Sequence, residues 1–225
     1  MVSDQLRRHF DRHADDFDRL YYEGRQTAIQ RWLNRRFRSD IVGRYRAALA
    51  HVASTQARSV LDVGCGPGHY LSALATMGVP RLVGIDLSER MLELARHNLA
   101  GEGITGVELV QRDFLEWETT EQFDVVLALG YFDYFDHPVE HLSRMRALAR
   151  HSVFASFPSR HWFRTPFRWT RQRIHGTRVY FYDTSRIEAL GREAGFPRCT
   201  VSKLPGAGMN FVTLFEVGPS HGRTD

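Results

Sequence analysis

The sequence predicts an α/β chain: a doubly wound, mostly parallel sheet of seven strands, with an N-terminal helical cap and a segment inserted late in the chain. Three observations predict it. From Arg58 onward, short apolar runs alternate with amphipathic helical stretches, a rhythm that implies parallel strands joined by right-handed helical crossovers. A glycine-rich turn, "GCGPG" at 64–68, follows the first apolar run directly. The last two runs are separated only by Pro205–Gly208, which is too short for a helical crossover, so they form one antiparallel hairpin at an edge.

The elements follow in order. Ser3 to about Ser54 reads as helical, because Phe10, Ala14, Phe17, Leu20 and Tyr21 recur at spacings of three and four, as do Ile29, Leu33, Phe37 and Ile41. "SVLDV" (Ser59–Val63) is a buried strand, and the helix after its glycine turn carries Tyr70, Leu71, Leu74 and Met77 on one face. "RLVGID" (81–86) is a second strand. "SERMLELARHNLA" (88–100) is a helix capped by Ser88, with Glu89 in its first turn. "GVELVQRD" (106–113) and "FDVVLALG" (123–130) are the third and fourth strands. A helix at Val139–Leu148 leads to the fifth strand, "HSVFASF" (151–157). A helix near Thr184–Gly195, a strand near 198–204 and the strand "MNFVTLFEV" (209–217) close the chain. The expected organisation is a cap over 1–54 and one α/β domain over 55–225, with a substrate cover inserted at 156–182.

The bulk composition narrows the class. With 225 residues, 43% hydrophobic and 25% charged, the chain can bury one sizeable core as an ordinary globular domain. No apolar run approaches the roughly 18 to 20 residues needed to span a bilayer. The first twenty residues are charged throughout and contain no secretory apolar core. Of the two cysteines, Cys65 lies inside the glycine turn, where a disulfide would block close approach to the backbone; a reduced, cytoplasmic location is expected. Net charge is +4 and Lys203 is the sole lysine. Genome composition accounts for that arginine bias unless arginine-specific recognition of phosphate or carboxylate does.

A glycine turn between strand and helix suits a nucleotide, because helix N-terminal N–H groups point at the ligand. Asp86, ending the second strand, can accept both hydroxyls of a ribose. NAD, FAD and S-adenosylmethionine all satisfy those two features, and three details separate them. The glycines run G-x-G-x-G, so the third glycine of the dinucleotide fingerprint is out of place. Asp62 stands two residues before the first glycine, where it would repel a pyrophosphate and favour a cationic amino acid and sulfonium. "QRDF" puts Asp113 and Phe114 at the carboxyl edge of the third strand, placed to accept the adenine N6 amino group and to pack on the base.

"VLDVGCGPGHY", "VGIDLSERMLELAR", "RDFLEW" and "FDVVLALGYFDYF" together resemble the successive motifs of class I S-adenosylmethionine-dependent methyltransferases, over roughly Ser59 to Pro158. "HFDRHADDFDRLYYEG" more loosely resembles the N-terminal cap of the small-molecule branch, which includes the ubiquinone and magnesium-protoporphyrin O-methyltransferases. The resemblance implies a Rossmann-like fold with S-adenosyl-L-methionine as cofactor. It implies that Gly64, Cys65 and Gly66 approach the methionine moiety with Asp62 nearby, and that Asp86 binds the ribose diol. Leu87 and Met91 would flank the adenine, Asp113 would take its N6, and Phe114 would pack on the ring. Leu129 and Gly130 would lie beneath the sulfonium, Tyr21 would close a lid, and Arg44 would pair with the carboxylate.

The expected function is methyl transfer to a small molecule by in-line displacement, with oxygen ranked first as acceptor atom, then nitrogen or sulfur. Such transfer needs alignment in a dry site more than a covalent residue. No metal-ligand cluster is evident. Acceptor-side candidates are Tyr131, Asp133, Tyr134 and His137 after the fourth strand, and His161, Tyr180 and Tyr182 from the insertion; catalytic roles are expected of Tyr131, Asp133, His137 and His161. Asp136 and His137 have the simpler alternative of capping the next helix. The "LGYFDYF" sequence departs from the Asn/Asp-Pro-Pro-aromatic motif of adenine-N6 methyltransferases. From His141 to Tyr182 there are nine arginines and no acidic residue, with Trp162, Phe163, Phe167 and Trp169 interleaved. That segment suits an anionic or aromatic small molecule first, then a membrane surface, carrier protein or lipophilic substrate. RNA phosphates and a merely solvated face are the remaining readings. A nicotinamide-dependent oxidoreductase and a non-catalytic cofactor-binding protein are the alternatives from other classes.

Overall fold

The computed structural model describes residues 7, 11, 28–159, 179–204 and 210–218. Helix α1 (Ala28–Ser54) is followed by β1 (Ser59–Val63), α2 (His69–Thr76), β2 (Arg81–Asp86), α3 (Glu89–Gly101), β3 (Val107–Gln111) and β4 (Phe123–Ala128). A one-turn 3-10 helix (Phe132–Tyr134) then precedes α4 (Val139–Leu148), β5 (Ala149–Pro158), α5 (Thr184–Glu193), β6 (Arg198–Lys203) and β7 (Asn210–Glu216). The seven strands form one sheet in the order β3-β2-β1-β4-β5-β7-β6. β1 to β5 are parallel, and β7 runs antiparallel to both β5 and β6. The α/β expectation with an antiparallel pair at one end therefore holds. Within that pair the last strand is interior and β6 forms the edge.

Burial explains why the central strands read as continuous apolar runs. All five residues of β1 are buried, as is usual for parallel strands covered on both faces. On one face α4 and α5 bring Leu142, Met145, Leu148, Ile187 and Leu190 against Leu61, Val63, Phe114 and Phe157. On the other, α1, α2 and α3 bring Ala48, Val52, Leu71, Leu74, Leu92 and Leu99 against Val60, Leu82, Val125 and Leu127. Each fully buried aliphatic or aromatic side chain contributes about 1.5–3 kcal/mol. The glycine turn lies between strands near the middle of this sandwich, so rigidity on both sides fixes it.

Several boundaries differ from expectation for local reasons. β4 ends two residues early because Gly130 takes φ +78° and gives its N–H to Ser156 Oγ at 2.8 Å, leaving the ladder. α5 stops at Glu193; Gly195, at φ +83°, lets the Phe196 N–H reach back to the Gly191 carbonyl at 2.9 Å, the usual glycine-terminated helix end. Met77, expected on the buried face of α2, is its C-cap and is exposed. Ser88 caps α3, accepting from the Met91 N–H at 3.2 Å. Pro138 caps α4 without a side-chain bond, so neither Asp136 nor His137 does so. No helix among the described residues is long and apolar enough to cross a membrane.

Candidate active site

The glycine turn is built by backbone conformations that side chains oppose. Gly64, Gly66 and Gly68 have φ of +71°, +50° and +80°, the left-handed region that glycine enters without penalty. The turn is pinned to β2: the N–H groups of Gly64 and Cys65 both donate to the Ile85 carbonyl, at 2.8 and 3.1 Å. Gly66 then donates to Asp86 Oδ2 at 2.9 Å, while Ser88 N–H donates to Asp86 Oδ1 at 2.9 Å. One carboxylate thus ties the turn to the start of α3. Each of its oxygens still has a lone pair for a further donor. Burial raises the pKa of Asp86, opposed by the N–H groups of Ser88, Gly66 and Leu87.

Asp62, in the register between Gly84 of β2 and Leu127 of β4, is 1% exposed. Its Oδ2 has no hydrogen-bond partner. Burial, with the Asp86 charge adding, pushes its pKa up to about 7. A buried carboxyl in that state is short of a cation or a donor. Cys65 is also buried, and burial followed by the charges of Asp86 and Asp62 pushes its thiol well up; this is a packing thiol, not a nucleophile. Its sulfur fills the space beside Gly84, where a Cβ would lie 2.9 Å from it.

A cavity of about 440 Å³ opens over this turn at the carboxyl edge of the sheet, where open α/β sheets bind ligands. In the strand order β3-β2-β1-β4, Asp113 and Phe114 follow β3, Asp86 ends β2 with Leu87 and Met91 after it, Gly64, Cys65 and Gly66 follow β1, and Leu129, Gly130 and Tyr131 follow β4; all line it. Among the described residues, nothing lies within 4 Å of where a Cβ would stand on Gly66, so its backbone is open to a close-fitting ligand. Gly64 is covered instead: a Cβ there would lie 2.9 Å from Tyr131 Cδ2. The Tyr131 ring packs edge-on to Phe114 (6.4 Å) and Phe132 (5.4 Å). Burial, then the charges of Asp113 and Asp86, push its phenol pKa well up, so it remains a neutral hydroxyl.

Arg44 reaches the cavity from α1, its Nη1 donating to Ser156 Oγ at 3.3 Å. The same nitrogen would lie 3.3 Å from a Cβ on Gly130, so that glycine leaves room for the guanidinium. From the N-terminal segment, Asp11 accepts the Ser88 hydroxyl at 2.5 Å and adds its charge beside Asp86. The loop after β4 is braced from below. Phe132 stacks on Phe157 at 4.7 Å, Phe157 meets Tyr182 edge-on at 5.1 Å, and the Tyr182 hydroxyl donates to the carbonyls of Phe132 and Phe135.

The remaining candidates lie elsewhere. Asp133 belongs to the 3-10 turn and is absent from the cavity wall; its carbonyl accepts the Tyr180 N–H at 2.9 Å. His137 is exposed and pairs with Glu193 at 3.3 Å. Tyr21 and His161 lie outside the described residues, as does most of the 156–182 insertion. The cavity also takes in Tyr134, Phe135 and His141. Tyr134 was visible in the aromatic run after β4. Phe135 ends the same run, whereas His141 had no motif to mark it, and only the first turn of α4 facing the same edge could have pointed to it.

The residues fit a sulfonium nucleotide: an open backbone at Gly66, an acid lining the cavity where a ribose would lie, and a buried carboxyl with one oxygen lacking a hydrogen-bond partner among the described residues. Comparison with known proteins agrees. Residues 60–152 match the family model described as a methyltransferase domain. A tRNA U34 carboxymethyltransferase from Actinobacillus pleuropneumoniae is 30% identical over 114 residues, 49% of this chain and 34% of that protein. An EEF1A lysine methyltransferase 2 from Danio rerio is 33% identical over 113 residues, 46% of this chain and 48% of that protein. The chain thus spans a third to a half of the length of these curated relatives. Among solved structures, the magnesium protoporphyrin IX methyltransferase of Synechocystis with bound S-adenosylhomocysteine superposes with a TM-score of 0.72 at 20% identity, covering 94% of this chain and 97% of that one. Residues 60–152 thus match a methyltransferase domain, within a fold shared with a methyltransferase solved with S-adenosylhomocysteine bound.

Proposed function

We propose that the protein transfers a methyl group from S-adenosylmethionine to a small-molecule acceptor, oxygen first, then nitrogen or sulfur. One observation carries this reading: a single cavity joins the glycine turn to an aromatic mouth formed by Tyr131, Tyr134 and Phe135. When bound, S-adenosylmethionine supplies a methyl group made electrophilic by the sulfonium. The protein's part is to hold, orient and keep water out. Asp86 would accept from the ribose, Asp113 and Phe114 would hold the base with Leu87 and Met91, and the Gly66 backbone would admit the methionine portion. Asp62 would offset its positive charge, and Arg44, which lines the cavity, would pair with its carboxylate. Tyr131 and Tyr134 would wall the acceptor side, under a cover supplied by 1–54 and 156–182.

The small-molecule preference is supported by the match of 94% of the chain to a structure named for a porphyrin substrate, whereas the relatives named for tRNA and for a protein lysine match less than half of it. A cytoplasmic location accords with the free thiols of Cys65 and Cys199. The test is incubation of the protein with methyl-labelled S-adenosylmethionine and separated cell fractions. Label in metabolites below about 1 kDa is expected. Label confined to RNA or to protein would refute the small-molecule reading.

A further inference from the structure

Helix α4 buries Leu142, Met145 and Leu148 in the core. His141 stands four residues before Met145 and seven before Leu148, so it shares their face, but in the first turn, where the helix has just left the carboxyl edge of the sheet. Its imidazole is therefore half-buried and lines the cavity instead of the core. The ring lies 4.2 Å from Phe135 and 5.6 Å from Tyr131 between centroids, two of the three rings of the aromatic mouth. Among the described residues neither of its nitrogens makes a hydrogen bond. Nearby polar groups are committed elsewhere: Ser156 Oγ serves the Gly130 N–H and the Arg44 guanidinium, and the Tyr182 hydroxyl serves the carbonyls of Phe132 and Phe135.

Burial pushes the His141 pKa down to about 4, against the pull of Asp113, so the ring is neutral at pH 7, with one N–H and one nitrogen lone pair. That lone pair can accept a hydroxyl hydrogen. A carboxylate or phosphate has none to offer at that pH, and Tyr131, Tyr134, Phe135 and His141 supply no cation to pair with one. Flat walls suit a flat guest, so the mouth matches an uncharged aromatic ring that carries a hydroxyl group. We propose that His141 is an acceptor-binding residue: its unprotonated ring nitrogen takes the hydroxyl hydrogen of a phenol held against Phe135 and Tyr131, leaving an oxygen lone pair free to face the methyl group. The assignment rests on the proposed function above and narrows its acceptor to phenols. The low pKa suits the imidazole to holding that hydrogen, not to removing it.

Calorimetry first shows whether the protein binds S-adenosylhomocysteine. The loaded protein is then titrated at about pH 6, where a nitrophenol keeps its proton, with 4-nitrophenol and with 4-nitroanisole, the same ring with that hydrogen replaced by methyl. Wild type is expected to bind the phenol about five- to tenfold more tightly than the ether, for one hydrogen bond. His141→Phe keeps a flat ring against Phe135 without the hydrogen bond and should bind the two probes alike. Wild type that binds neither probe, or that does not prefer the phenol, would overturn the assignment. So would H141F that keeps the preference, whether or not both affinities fall. If H141F fails to fold, as a melting curve shows, H141L is read by the same criterion, and the wild-type preference decides on its own if neither folds. Wild-type protein that does not bind S-adenosylhomocysteine would overturn the functional reading and this assignment together.

Discussion

Asp62→Asn perturbs a carboxyl that is 1% exposed and has an oxygen without a hydrogen-bond partner. Burial first, and the Asp86 charge second, hold its pKa near 7, against an ordinary 3.8. Between those values the folded protein keeps a proton that the unfolded chain has released. Because the unfolded state then binds fewer protons, stability falls as pH rises from about 4 to about 7 and levels off above. A difference of about three pH units, at about 1.4 kcal/mol each, puts a ceiling of about 4 kcal/mol on that fall. Asparagine keeps the shape and cannot ionise. The stability of D62N minus that of wild type should therefore rise across pH 4–7 by up to about that ceiling, then stay flat. Urea unfolding of both proteins at half-unit steps from pH 4.5 to 8 measures it. Slopes from other carboxylates, such as Glu121, whose pKa its hydrogen bond with Arg81 lowers, cancel in the difference. A difference independent of pH would refute the reasoning.

Three other perturbations have defined outcomes. In Gly84→Ala the new methyl would lie 2.5 Å from Leu71 Cδ1 and 3.1 Å from Cys65 Cβ. The leucine end can swing but Cys65 is fixed in the turn, so a loss of about 1–3 kcal/mol with weaker S-adenosylhomocysteine binding is expected; unchanged values in urea unfolding and calorimetry would count against the packing described. Tyr182→Phe removes the hydroxyl that serves the Phe132 and Phe135 carbonyls, costing about 1–3 kcal/mol. A melting midpoint equal to wild type would show that this brace is idle. Arg81→Ala breaks bonds to Glu108 and Glu121, but all three side chains are more than a third exposed, so the loss should stay below about 1 kcal/mol; a larger drop in urea unfolding would contradict that.

The fold was legible because the parallel strands are buried on both faces, which leaves runs such as "SVLDV" and "FDVVLA" without polar interruption. What escaped the sequence came from contacts across the sheet. Gly64 looks like an opening for a ligand, yet the Tyr131 ring, arriving from the next-door strand, covers it. Asp133 and His137 have the right chemistry and follow the right strand, but the 3-10 turn at Phe132–Tyr134 places the former outside the cavity wall, and the latter is exposed, its ring hydrogen-bonded to Glu193. His141 has no motif and enters the cavity only because α4 begins beside Phe135. The donor-side positions follow strand ends, whose spacing a sequence shows; the acceptor side depends on how loops pack, which spacing does not encode.

The measurement that bears most directly on the methyl-donor site is a calorimetric titration of the protein with S-adenosylhomocysteine, alongside Asp86→Ala. Asp86 joins the Gly66 and Ser88 N–H groups and faces the cavity, so its loss removes both the brace of the turn and the expected ribose contact. Saturable one-to-one binding by wild type, weakened at least about tenfold in D86A, is the predicted result. No binding at millimolar ligand, or equal affinity in the two proteins, would contradict the account.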